Sequence, residues 1–143
     1  MSVQVCPRIF PLAKTVRLLA LSEIRSGRKR SHWIWYIFPQ IRGLGFSSRA
    51  QFYAIRDLGE AQAYMKEPVL RERLLEISSA LLLLSSSDPT EVMGYPDDLK
   101  LRSSMTLFMT AAPEESVFRQ VLDKYFGGNP DDKTLQILKQ EKR

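Results

Sequence analysis

The sequence predicts an all-α fold, a single domain of about eight helices arranged as a bundle or short helical array. Three observations carry that expectation. Apolar residues recur three and four apart through most of the chain, caps and breakers punctuate those runs at helical lengths, and no segment alternates as a strand would. With 143 residues, 44% hydrophobic and 26% charged, the chain has the size and composition of one folded domain with a core. No internal repeat and no Gly- or Pro-rich linker divides it.

The elements follow in order. Between Ala13 and Ser26, Val16, Leu19, Ala20 and Ile24 share one helical face, and Gly27 supplies a C-terminal stop. Ser31 to Phe38 is almost wholly apolar, which suits a buried strand or a buried helix. The helix is favoured, with Ser31 as its cap and Pro39 as its end, and a loop carrying Gly43 and Gly45 follows. Asp57 with Glu60 resembles a capping box that opens a helix to about Lys66. Pro68 fits the first turn of the next, whose Leu70, Leu74, Ile77, Leu81 and Leu84 recur at helical spacing. Asp88, Pro89 and Glu91 start a short helix that ends near Gly94. Asp97 or Asp98 is expected to cap the helix through Leu101, Met105 and Phe108. Pro113 is expected to begin one that turns Phe118, Val121, Leu122 and Tyr125 inward and stops at Gly127 and Gly128. Asp131 caps the last, with Leu135 and Leu138 inward.

Charge is unevenly spread. Residues 1–60 hold ten Lys or Arg against three acids, a surplus of seven, whereas the rest carries a deficit of two. Such asymmetry favours an anionic partner on the first half. Cys6 is the only cysteine, so no disulfide can form within the chain, and a cytoplasmic setting is expected. The longest apolar runs, such as Ala80 to Leu84, fall far short of the roughly 20 residues of a membrane-spanning helix.

Three stretches are candidates for chemistry. In the first, Arg28, Lys29, Arg30 and Ser31 lead into an expected helix start. Free backbone donors, the helix dipole and the cations would together hold a phosphate or carboxylate there, although a solvated basic turn needs no ligand. In the second, Trp33, Trp35, Tyr36 and Phe38 are followed by Gln40 and Arg42. Aromatics interleaved with cations suit stacking on bases, yet four aromatics in six residues cannot share one helical face, so most belong in a core. The third runs from Asp97 to Phe108. Asp98 and Arg102 stand four apart as a surface pair on one face with Met105, whereas Lys100, Ser103, Ser104 and Leu107 lie on others. Arg102 and the paired hydroxyls could project into a pocket, with Lys100, Arg102 and Ser103 the candidate ligand contacts, and hydroxyls bonded back to their own helix are the alternative.

His32, the only histidine, and Asp97 are the candidate general acid or base. No metal site or cofactor is expected. One Cys and one His lack zinc-ligand spacing, and there is no Walker loop, dinucleotide fingerprint or nucleophile elbow.

Gly27 to Gln40, Arg42-Gly43-Leu44-Gly45, the Pro96 to Phe108 stretch and Tyr125-Phe126-Gly127-Gly128 together resemble the domain of unknown function 1810 family over about Leu19 to Leu138. The resemblance implies an all-α domain without an established activity. Members are often labelled calpastatin, a disordered inhibitor, which the apolar content and capped helices of this chain contradict. The family's usual first helix has no counterpart in the atypical segment 1–18, which contains Cys6, Pro7 and Pro11, and the helical domain is expected over 19–140. The favoured function is binding or processing a small phosphorylated or nucleotide-like ligand. The alternatives are a nucleic-acid-binding module or a protein scaffold without a small ligand.

Overall fold

The computed structural model describes residues 10–45 and 47–141, with side chains from Val16 onward. Cys6 and Pro7 lie outside the described residues. Nine α-helices are present among those described, and no strand. They are α1 (Phe10–Arg25), α2 (Ile34–Ile37), α3 (Ser48–Tyr53), α4 (Leu58–Lys66), α5 (Pro68–Leu82), α6 (Pro89–Met93), α7 (Asp97–Ala111), α8 (Val117–Phe126) and α9 (Asp132–Glu141). No helix among them is long and apolar enough to cross a membrane.

Helix α7 is the axis of the domain, packing against α2, α4, α6, α8 and α9. It is buried on nearly every side, from Leu101 and Ser104 to Met105, Leu107 and Phe108. A helix buried all round is normally apolar all round. Here Ser103, Thr106 and Thr110 instead donate to the carbonyls of Leu99, Arg102 and Thr106, so their hydroxyls enter the interior already bonded. Thr106 Oγ1 also accepts the N–H of Asp131 at 2.8 Å, which fixes the turn before α9. The rings of Tyr64, Phe108 and Phe118 follow one another at 5.1 and 5.9 Å, joining α4, α7 and α8. Helix α5 packs on α1, α4 and α8. Tyr125 of α8 donates to the Leu81 carbonyl at 2.6 Å, and burial pushes its hydroxyl up to about 12.

Most of the expected boundaries hold. Asp57, Asp88 and Asp131 accept N–H groups of Glu60, Thr90 and Thr134 at their helix starts. Gly127 ends α8 in the left-handed region at φ 61°, and the Gly128 N–H returns to the Leu122 carbonyl.

Several expectations are corrected. Helix α1 starts at Phe10 and runs unbroken through position 18, and Leu19 is half exposed while Ala20, Leu21 and Ile24 are buried. Helix α2 has only four residues, and Ser31 does not cap it. The segment after Gly45 contains α3, whose start Ser47 caps by accepting the Ala50 N–H. Neither Asp97 nor Asp98 caps α7; both lie in its first turn. Asp98 is buried and accepts from Thr90 Oγ1 at 2.8 Å, so it is not the surface partner of Arg102. Pro113 lies in a turn, and α8 begins only at Val117.

Candidate functional site

The basic turn is organised by a carboxylate from the preceding helix. Glu23 lies one turn beyond Ala20 on the inward face of α1 and is 8% exposed. Its Oε1 accepts the N–H groups of Arg30 at 2.7 Å and Ser31 at 2.9 Å, and the Trp33 indole N–H at 2.9 Å. Its Oε2 accepts the Ser31 hydroxyl at 2.5 Å. Burial alone would raise the carboxyl, but the donors from Ser31, Arg30 and Trp33 outweigh it and hold the group at about 2. The backbone donors expected to receive an external anion are thus already engaged, and Trp33 is a core residue at 1% exposure. The side chains of Arg28, Arg30 and His32 remain exposed.

Lys29 points the other way. Its N–H donates to the Val92 carbonyl at 2.7 Å, and its ammonium lies 2.7 Å from Asp97 Oδ2 and 4.9 Å from the Trp33 ring centroid. It also donates to the Ser31 carbonyl. With only 5% of its side chain exposed, Lys29 ties the turn to the start of α7. The other Asp97 oxygen stands 3.5 Å from Lys100 Nζ. Asp97 therefore fixes two lysines, and no contact joins it to His32 among the described residues.

Lys100 leads to the candidate site. Its ammonium lies 5.1 Å from the Trp35 ring centroid, and the Arg49 guanidinium lies 5.4 Å from the same ring. Trp35, Gln40, Tyr53 and Lys100, with Ile34, Ala50 and Ala54, line a narrow crevice that encloses about 10 Å³. The Trp35 indole N–H is buried without a hydrogen-bond acceptor. The crevice has a braced floor, because the N–H of Ile55 donates to the Gln40 carbonyl and that of Arg42 to the Ile55 carbonyl, both at 2.8 Å. Tyr36 packs edge-on to Tyr53 at 5.2 Å. Burial, with Tyr53 adding to it and Arg49 opposing, raises the Tyr36 hydroxyl above its ordinary value.

The structure thus gathers Lys29, Trp35, Gln40, Asp97 and Lys100. It does not bring in the others. Arg42 is exposed. Two positions beyond Lys100 is about 200° around the helix. Arg102 accordingly faces α8, donating from Nε to the Asn129 carbonyl at 2.9 Å and lying 5.8 Å from the Phe126 ring. Ser103 is buried with its hydroxyl on Leu99. Sequence reasoning missed Glu23, Arg49 and Tyr53. Glu23 had a readable signal: a carboxylate three residues after Ala20 on an apolar face needs donors of its own. Arg49 and Tyr53 had none, because nothing local distinguishes α3 from a polar loop.

Comparison with known proteins identifies the group. The family described as protein of unknown function (DUF1810) matches residues 11–138. The chain belongs to the DUF1810 family. No curated protein matches it. Among solved structures it is similar to the conserved hypothetical protein Rv1873 from Mycobacterium tuberculosis, with a TM-score of 0.90 and 42% identity. That likeness covers 92% of this chain and 94% of the other, so the DUF1810 fold extends over nearly the whole of both.

Proposed function

We propose that this DUF1810 domain binds a small phosphorylated ligand at the Trp35 crevice. The carrying observation is the Trp35 indole N–H, buried without an acceptor beside the cations Lys100 and Arg49. A buried donor without a partner carries a desolvation cost that an incoming acceptor oxygen removes. The two cations supply charge for the same oxygen-rich group, and the Gln40 amide adds donors at the crevice wall. The crevice encloses only about 10 Å³, room for a single water-sized group such as one phosphate oxygen. It therefore receives one oxygen of the head group, with the remainder of the ligand outside against Lys100 and Arg49. Binding is the function proposed. Asp97 serves it by holding Lys100 and Lys29 in place.

Calorimetry and thermal shift on the full chain test this with inorganic phosphate, ribose 5-phosphate and AMP. Ligand at about 100 times its Kd stabilises the native state by about 2.7 kcal/mol, which raises Tm. Lys100→Ala is expected to weaken binding at least tenfold, and an Arg28→Ala, Arg30→Ala variant to leave it unchanged. Retention of binding in Lys100→Ala refutes the assignment.

A second reading rests on the exposed Arg25, Arg28, Arg30 and Arg42, which are free of the crevice and suit a phosphate backbone. It predicts single-stranded RNA affinity that falls steeply with salt and is lost in the Arg28→Ala, Arg30→Ala variant. The same variant therefore separates the two readings.

A further inference from the structure

Donor groups from three separate helices converge on one indole ring. Trp35 of α2 carries the buried N–H, and the Arg49 guanidinium of α3 and the Lys100 ammonium of α7 lie 5.4 and 5.1 Å from its centroid. Each keeps a donor for a ligand. The contact of Lys100 with Asp97 is 3.5 Å, longer than the roughly 2.7–2.9 Å of a charge-assisted hydrogen bond. Arg49 forms no ion pair among the described residues. The crevice beside the ring admits one oxygen-sized group and no more.

Charge adds a second constraint. The cations at the site are Lys29, Arg49 and Lys100, and the carboxylate is Asp97, which lies against both lysines. Glu23 is already engaged by the N–H groups of the basic turn. Tyr36 and Tyr53 complete the titratable groups there, and burial raises the Tyr36 hydroxyl, which stays neutral. Three cations against one carboxylate leave two positive charges for a ligand. A phosphate monoester has three unsubstituted oxygens and close to two negative charges at neutral pH, with a second pKa of about 6. A diester has two such oxygens and a single charge, so one donor group and one cation would go unmatched.

We propose that the Trp35 crevice selects dianionic phosphate monoesters over phosphodiesters. One oxygen enters at the Trp35 N–H, and the other two take Arg49 and Lys100 outside the crevice. This rests on the ligand reading given above and narrows it to a terminal phosphate group.

Calorimetry on the full chain with AMP and cyclic AMP tests this, because the two share base and ribose and differ in the phosphate. AMP is expected to bind at least tenfold more tightly at about pH 7.5. Lowering the pH to about 5 protonates most of the AMP phosphate and is expected to weaken its binding about tenfold. Sulfate, followed by its displacement of AMP, stays dianionic over that range and is expected to hold its affinity. That comparison separates titration of the ligand from titration of Asp97 or another protein group. Arg49→Gln alters an exposed side chain and is expected to shrink the preference for AMP at least fivefold. Equal affinity for AMP and cyclic AMP, a preference unchanged in Arg49→Gln, no displacement by sulfate, or parallel losses of AMP and sulfate at low pH overturns the selectivity while leaving the crevice a ligand site. Failure of every phosphate compound to bind overturns the ligand reading itself.

Discussion

Replacing Glu23 by Gln removes one charge and leaves the volume almost unchanged, so its effect isolates what the carboxylate does for the basic turn. The carboxyl is held at about 2 against an ordinary value of 4.5. At 1.36 kcal/mol per unit that difference is about 3 kcal/mol, and allowance for screening by nearby solvent reduces it to about 2. The amide also places a donor among the N–H groups of Arg30 and Ser31, which already seek an acceptor. Glu23→Gln is therefore expected to cost about 2 kcal/mol at pH 7, or about 4–8 °C in Tm for a chain of this size.

The pH dependence has a definite sign. The folded value lies below the unfolded one, so the stabilisation is complete above about pH 4.5 and is lost as pH falls from there toward about 2. Wild type and variant should differ by about 2 kcal/mol at neutral pH and converge near pH 2. Urea unfolding followed by tryptophan fluorescence at a series of pH values measures this. A gap that stays constant down to pH 2, or no gap at pH 7, would falsify the role given to Glu23.

Two further outcomes follow from packing. At Gly45 an added Cβ would lie 2.5 Å from the Ala50 Cβ, so Gly45→Ala is expected to cost about 1–3 kcal/mol, with Ala50→Gly recovering much of the loss in a double-mutant cycle. Thr106→Val keeps the shape of the buried side chain but leaves the Asp131 N–H without its acceptor. The expected cost is about 1–2 kcal/mol in chemical denaturation, with faster amide exchange at Asp131.

Helix α5 was legible because its apolar spacing and Pro68 agree. Its cap, Glu67, which accepts the Leu70 N–H at 2.7 Å, was not singled out in the sequence. Asp57 and Asp88 were legible because a cap and its donor lie within three residues. Asp97 was misread because its carboxylate is claimed by Lys29, 68 positions earlier, and no local rule sees such a partner. The site was half legible. Trp35, Gln40 and Lys100 stood out by residue type, and the spacing of Lys100 and Arg102 already put them on different faces, but it did not say that the face of Lys100 meets Trp35 while that of Arg102 meets Asn129. Arg28 and Arg30 were chosen for charge alone, and charge does not say which way a turn faces.

Every group that Glu23 holds lies within ten residues of it in the chain. The loop from Gly27 to Trp33 can therefore take its shape as soon as the end of α1 forms, without waiting for α7. Closing a segment that short is among the fastest events in folding, on the order of 10–100 ns. The link from Lys29 to Asp97 then docks a turn that already has its form, rather than creating it.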